Sequence, residues 1–100
     1  MVFKEDAKMT KRNKILFQLD LDADRFVKLF LDSGDAWYTV TREPGDPFLT
    51  RDMRRAFAKA AYPFRNKMVL VCRGPNIYMV LRDVYDRGAF DVSKGKRSGE

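Results

Sequence analysis

The sequence contains no histidine among its 100 residues. Imidazole is the usual general base near neutral pH and the commonest transition-metal ligand in proteins. Its absence excludes Ser-His-Asp and Cys-His nucleophilic catalysis, the histidine-containing zinc hydrolases and the histidine-dependent nucleases. Only carboxylate, lysine, tyrosine or arginine chemistry is left. We therefore expect a binding protein that needs no cofactor, rather than an enzyme.

Cysteine is almost as scarce, since Cys72 is the only one in the chain. One thiol cannot form an internal disulfide, and one cysteine without histidine falls short of a four-ligand zinc site. Because Cys72 lies within an apolar segment, we expect a buried, unreactive thiol. This cysteine usage is typical of a cytoplasmic protein.

Long apolar runs are missing too. The longest, from Met68 to Cys72, is far below the roughly 20 residues that cross a bilayer, and charges replace the apolar stretch of a signal peptide near the N-terminus. With 45% apolar and 34% charged residues, the composition is that of a globular chain long enough for one core. We expect no membrane partner, a basic leader over residues 1–14, one domain over 15–92 and a flexible basic tail over 93–100.

The first half of that domain predicts a strand, a helix and a second strand. Apolar residues alternate from Ile15 to Leu21, which is typical of a half-buried strand. Asp22 has the chemistry of a helix cap, and the apolar spacing that follows predicts a helix ending at Ser33 and Gly34. Residues 36–42 are aromatic and β-branched, as in a strand.

The second half predicts a helix and then a hairpin. The helix begins between Asp46 and Thr50 and ends before Pro63. Residues 68–73 and 77–85 read as two strands joined by a tight turn, and residues 88–92 as a short edge strand. The predicted fold is α+β, ordered strand-helix-strand-helix-strand-strand, with two helices on one face of a four- to five-stranded sheet.

Positive charge concentrates on the second helix. The whole chain carries a net charge of +6, and residues 51–67 hold six basic residues against one acidic residue. Apolar positions such as Met53 and Phe57 mark the opposite face of this helix. Arginine forks suit phosphate groups, and such a basic face is the expected footprint of a phosphate-backbone binder. A solvated basic face without a partner explains the same pattern. The predicted contact residues are Arg51, Arg54, Arg55, Lys59, Arg65 and Lys67.

Asp20 and Asp22 offer the one credible catalytic alternative. If Ile15–Leu21 is a strand, alternation puts both carboxylates on one face at its end, where two of them hold Mg²⁺ or Mn²⁺ for phosphoryl chemistry. The simpler interpretation is a solvated strand residue followed by a helix cap.

The aromatic residues add one more candidate contact. Alternation places Trp37 and Tyr38 on opposite faces of their strand, so one of them should be exposed, and exposed sheet aromatics stack on bases. We therefore add Trp37 to the predicted contacts. The leading hypothesis is a small non-enzymatic module that docks nucleic acid or another acidic surface. The alternatives are a regulator or inhibitor that binds a larger protein, and a metal-dependent nuclease using Asp20 and Asp22.

Overall fold

The computed structural model describes residues 11–90 of the chain. Within that range the fold is α+β, as predicted, with an antiparallel sheet of three strands rather than four or five. The elements in chain order are helix α1 (Lys11–Ser33), strand β1 (Trp37–Thr41), helix α2 (Thr50–Ala61), a 3-10 turn (Tyr62–Phe64), strand β2 (Met68–Arg73), strand β3 (Asn76–Leu81) and the short helix α3 (Arg82–Asp86).

Helix α1 replaces the strand predicted at Ile15–Leu21, and that prediction is wrong. The alternation of apolar residues there is also the start of a helical repeat that buries Leu19, Ala23, Val27 and Phe30 on one face. No glycine or proline interrupts the chain between Lys11 and Ser33, so the segment has no place for a strand-to-helix turn. Residues 11–14, assigned to the leader by the sequence, are part of this helix.

The end of α1 follows the predicted signal. The Ser33 hydroxyl donates to the carbonyl of Phe30 at 2.7 Å and accepts from the N–H of Asp35 at 3.1 Å. Gly34 then takes φ +82°, the left-handed conformation that closes a helix at low cost only in glycine.

Helix α2 begins at Thr50, and an acidic residue in its first turn stabilises that start. The carboxylate of Asp52 accepts a hydrogen bond from the backbone N–H of Leu49 at 2.9 Å. It also lies 3.1 Å from the guanidinium of Arg12, on α1. Asp52 is only 8% exposed, so these contacts satisfy a charge that would otherwise be costly to bury.

The sheet order is β1-β3-β2, with β3 in the centre. Its register places Trp37 opposite Val80 and Thr39 opposite Tyr78, while Val69 and Val71 of β2 face the same two residues of β3 from the other side. The predicted hairpin is present, with φ +56° at Gly74. The long strand predicted over 77–85 ends at Leu81, because the chain turns into α3 at Arg82.

The prediction of an edge strand at residues 88–92 is wrong for residues 88–90, which are the part of this range that the structure describes. Residues 88–90 form a turn and an irregular segment, and residues 91 and 92 lie outside the described residues, as do residues 1–10 and the predicted tail at 93–100. No strand beyond the three is present within residues 11–90, so the predicted count of four to five strands is not reached there.

The core forms where α1 and α2 meet one face of the sheet. Phe30 of α1 and Met53 and Phe57 of α2 join Ile77 and Met79 of β3 in one buried cluster. Ile77 and Met79 alternate with Tyr78 and Val80, which belong to the opposite sheet face. None of the helices within residues 11–90 combines the length and apolar composition that a bilayer crossing requires.

Candidate nucleic-acid interface

Three arginines near the start of α2 form the most basic exposed surface of this helix. Arg51, Arg54 and Arg55 are exposed, while Met53 and Phe57 on the other side are buried in the core. The helical spacing that predicted this division of faces is confirmed. We call the three residues Arg51, Arg54 and Arg55 the arginine surface.

The arginine surface reaches the tip of the β2–β3 hairpin. One guanidinium nitrogen of Arg54 donates to the carbonyl of Gly74 at 3.0 Å, which fixes the hairpin beside α2. Arg73, the residue before Gly74, is also exposed. Sequence reasoning missed Arg73 because it considered basic residues only on the second helix and just past its end. The signal for it was the turn Gly74-Pro75, which had to bring the end of β2 to the surface.

Salt-bridge pairing divides the described basic side chains into two groups. Within residues 11–90, Arg51, Arg54 and Arg55 form no salt bridge. Of the other twelve basic residues in that range, Lys11, Lys14, Arg42, Arg65, Lys67 and Arg73 form none either, and six pair with carboxylates. The six paired residues are Arg12, Arg25, Lys28, Lys59, Arg82 and Arg87. Among the described residues, no carboxylate forms a salt bridge with the exposed guanidinium groups of the arginine surface.

Lys59 belongs to the predicted basic face, but it is already engaged. Its ammonium lies 3.5 Å from the carboxylate of Asp20 on α1, and both side chains are largely solvated. Such an exposed pair is worth little in stability, but it offsets the positive charge at this end of the helix.

Arg65 and Lys67 lie past the end of α2, away from the arginine surface. The guanidinium of Arg65 stacks over the Tyr62 ring at 4.1 Å and donates to the Tyr62 carbonyl at 2.8 Å. Lys67 lines a shallow groove that also includes Asp32. The structure therefore does not bring these two residues together with Arg51, Arg54 and Arg55.

Trp37 lies on the sheet face opposite the helices. It packs against Tyr78 and Phe90, with ring centroids 6.1 Å and 5.4 Å away. Tyr78 and Phe90 are themselves 5.5 Å apart, so the three rings form one cluster. Of the two aromatics at the start of β1, Tyr38 is the exposed one, at 48%. The structure thus separates Trp37 from the arginine surface by the thickness of the sheet.

Asp20 and Asp22 do not form the paired site expected from a strand. Two positions apart on a helix, side chains point about 200° apart rather than to the same side. Asp20 pairs with Lys59, whereas Asp22 accepts from Gln18 at 3.0 Å and from Arg25 at 2.7 Å. Asp22 lies in mid-helix, so its predicted role as a helix cap is also wrong. The described residues contain no cluster of three or more metal-ligating side chains.

Cys72 is exposed, which corrects the expectation of a buried thiol. It lies in β2 at an edge of the sheet, where an apolar sequence does not guarantee burial. Partial burial raises the pKa of the Cys72 thiol, and the nearby positive charge of Arg54 acts in the opposite direction.

We compared the chain with known protein families, curated proteins and solved structures. No family model, curated protein or solved structure matches the chain.

Proposed function

We propose that this protein is a small, non-enzymatic binding module that docks nucleic acid through the arginine surface. The observation that carries this proposal is the clustering of three exposed arginines on one side of α2. Arg51, Arg54 and Arg55 are exposed without a salt bridge to any described residue, whereas carboxylates pair with Lys59 on the same helix and with five other basic side chains of the domain. Three adjacent exposed cations, only partly offset by the Asp52 carboxylate beside Arg51, attract a polyanion.

The side-chain chemistry favours phosphate as the target group. A guanidinium carries five N–H donors in a planar fork that binds two oxygens of one phosphate at once. One N–H group of Arg54 donates a hydrogen bond to the Gly74 carbonyl. This bond orients the guanidinium, and its other N–H groups are left for a ligand. Arg73 stands next to Gly74 and extends the basic surface onto the hairpin. Arginine contacts to the phosphate backbone position a nucleic acid on the protein but do not recognise its base sequence.

The test is a binding titration with labelled single-stranded RNA, single-stranded DNA and duplex DNA. We expect the triple variant Arg51→Ala, Arg54→Ala, Arg55→Ala to lose most of its affinity while it keeps its fold. The matched control is Arg25→Ala, Lys28→Ala, Arg87→Ala, which removes the same charge from exposed cations that are already paired. Equal weakening by both triples would mean that net charge alone drives binding, and the proposal would be wrong.

A second candidate function is that of a small regulator or inhibitor that binds a larger protein. It is favoured by apolar side chains that α1 leaves in solvent, since Phe17 and Leu29 are 59% and 57% exposed. Protein interfaces bury such side chains, whereas a phosphate backbone does not need them. If Phe17→Ser and Leu29→Ser leave the nucleic-acid affinity unchanged, the apolar residues are not part of the nucleic-acid interface. A requirement for them in nucleic-acid binding would count against the arginine surface as the sole interface.

A further inference from the structure

Among residues 11–90, strand β2 lies at an edge of the sheet, and half of its backbone groups have no strand partner. The N–H of Arg82 donates to the carbonyl of Lys67 at 2.8 Å, which identifies residues 67 and 82 as a hydrogen-bonded pair of the β2–β3 ladder. Such pairs alternate along antiparallel strands. Val69, Val71 and Arg73 therefore direct their backbone groups to β3. Those of Met68, Leu70 and Cys72 point away from the sheet.

The outward backbone groups have no partner within residues 11–90. For the part of the chain that the structure describes, none of the backbone hydrogen bonds outside the regular elements involves Met68, Leu70 or Cys72, and no side chain bonds to their backbone groups. Natural edge strands are usually blocked by a charged residue, a proline, a bulge or a covering segment. From Met68 to Cys72 the chain has neither a charge nor a proline. The other edge strand, β1, carries polar Thr39 and Thr41.

We propose that β2 pairs antiparallel with β2 of a second copy, joining two three-stranded sheets into one sheet of six. A two-fold axis beside Leu70 places Leu70 opposite Leu70, Val69 opposite Val71 and Met68 opposite Cys72. Every opposed pair is then apolar, on both faces of the strand. A segment that complements itself in this way closes a symmetric dimer without any other protein.

The apolar composition of β2 also favours a second copy of the strand, rather than the chain's own C-terminal residues, as its pairing partner. Residues 91–100 contain a single apolar side chain, Val92, and so do not match an apolar strand. The two-fold register has one unfavourable feature, because Arg73 of each copy faces Lys67 of the other just beyond the apolar pairs. Like charges directly opposite each other repel, and salt screens them. Dimerisation should therefore become stronger as salt concentration rises, whereas nucleic-acid binding should become weaker. The two salt dependences distinguish failure of the dimer proposal from failure of the nucleic-acid proposal.

The first test compares two lysine variants by analytical ultracentrifugation. Thr39, Tyr78 and Val71 form one row across the sheet, so Thr39 and Val71 occupy equivalent half-exposed positions at its two edges. We expect the wild-type protein to dimerise reversibly with concentration. Val71→Lys should stay monomeric at the same concentrations, because it places charge against Val69 of the second copy. Thr39→Lys should dimerise like the wild type.

The second test needs no variant and reads the proposed hydrogen bonds directly. The amide of Leu70 should be protected from hydrogen exchange at high protein concentration and lose that protection on dilution. The amide of Thr39, which points outward from β1, should stay unprotected at both concentrations. A protein that is monomeric throughout would overturn the proposal, as would loss of the dimer in Thr39→Lys. Leu70 protection that is independent of concentration would also overturn it, since part of the same chain, such as residues 1–10, would then cover the edge.

Discussion

The guanidinium of Arg12 lies 3.1 Å from the carboxylate of Asp52, and this contact joins the two long helices of the fold. Asp52 belongs to the first turn of α2, beside Arg51 of the arginine surface. The same carboxylate accepts the N–H of Leu49, so one buried group fixes both the start of α2 and its position against α1. The placement of the arginine surface therefore depends on a residue that does not contact the proposed ligand.

Replacing Asp52 with alanine should destabilise the protein by about 1 to 2 kcal/mol. The change removes a hydrogen bond at the start of a helix and leaves the N–H of Leu49 without its acceptor. Arg12→Ala should have a smaller effect, because the buried Asp52 carboxylate then keeps its hydrogen bond from Leu49. Urea denaturation at neutral pH measures both. If the two variants were equally stable, the hydrogen bond to Leu49 would contribute nothing.

The same carboxylate predicts a pH dependence. The hydrogen bond from Leu49 holds the pKa of Asp52 below its usual value, helped by the charges of Arg12 and Arg51 and opposed by burial. Because the pKa is lower in the folded state, the charged form stabilises the fold above the unfolded-state pKa of about 3.9 and this stabilisation is lost as the pH falls further. The stability difference between wild type and Asp52→Asn should be largest near neutral pH and shrink below about pH 4.

A pair of substitutions in α1 tests whether residues 15–21 are helical. In a strand, Phe17 and Leu19 would both face the core, whereas in α1 Leu19 is 6% exposed and Phe17 is 59% exposed. Leu19→Ala should therefore cost about 2 to 5 kcal/mol, and Phe17→Ala less than about 1 kcal/mol. Thermal or urea denaturation of the two variants decides the matter. Similar large losses of stability in both variants would indicate that residues 15–21 form a strand instead.

This region shows why the sequence predicted only part of the fold. Seven residues of alternation are compatible with a strand and with the start of a helix, and the local pattern does not choose between them. What decides is packing over a longer range, because Leu19 continues the face formed by Ala23, Val27 and Phe30. In α2, by contrast, the helical spacing of Met53 and Phe57 had no competing period, and both the core face and the exposed arginines followed from it.

The candidate site, like the fold, was predictable only where a local pattern determines it. Positions on one helix, such as Arg51 and Arg55, share a face by spacing alone. The salt bridge from Lys59 to Asp20 joins residues 39 positions apart, and no local pattern encodes it. The burial of Cys72 was mispredicted for a similar reason, since an apolar strand is buried in the centre of a sheet and exposed at its edge.

Cys72 provides a probe of the arginine surface. Because the charge of Arg54 acts against the rise in the pKa of the thiol, removing that charge should raise the pKa further and lower the fraction of reactive thiolate. Arg54→Ala should therefore react more slowly with a neutral thiol reagent at a fixed pH than the wild type does. Arg55→Ala is the control, and its rate should be unchanged. A faster reaction in Arg54→Ala would show instead that Arg54 shields the thiol.

The salt dependence of nucleic-acid binding tests the central claim most directly. Each phosphate neutralised by the protein releases counterions, so the logarithm of the binding constant falls with the logarithm of salt concentration by about 0.7 per contact for single strands. If Arg51, Arg54 and Arg55 all contact phosphates, replacing them with alanine should make this slope shallower by about 2. The control triple, Arg25→Ala, Lys28→Ala, Arg87→Ala, should keep the wild-type slope. An unchanged slope in the arginine variant, or an equal change in the control, would contradict the assignment of this surface as the nucleic-acid interface.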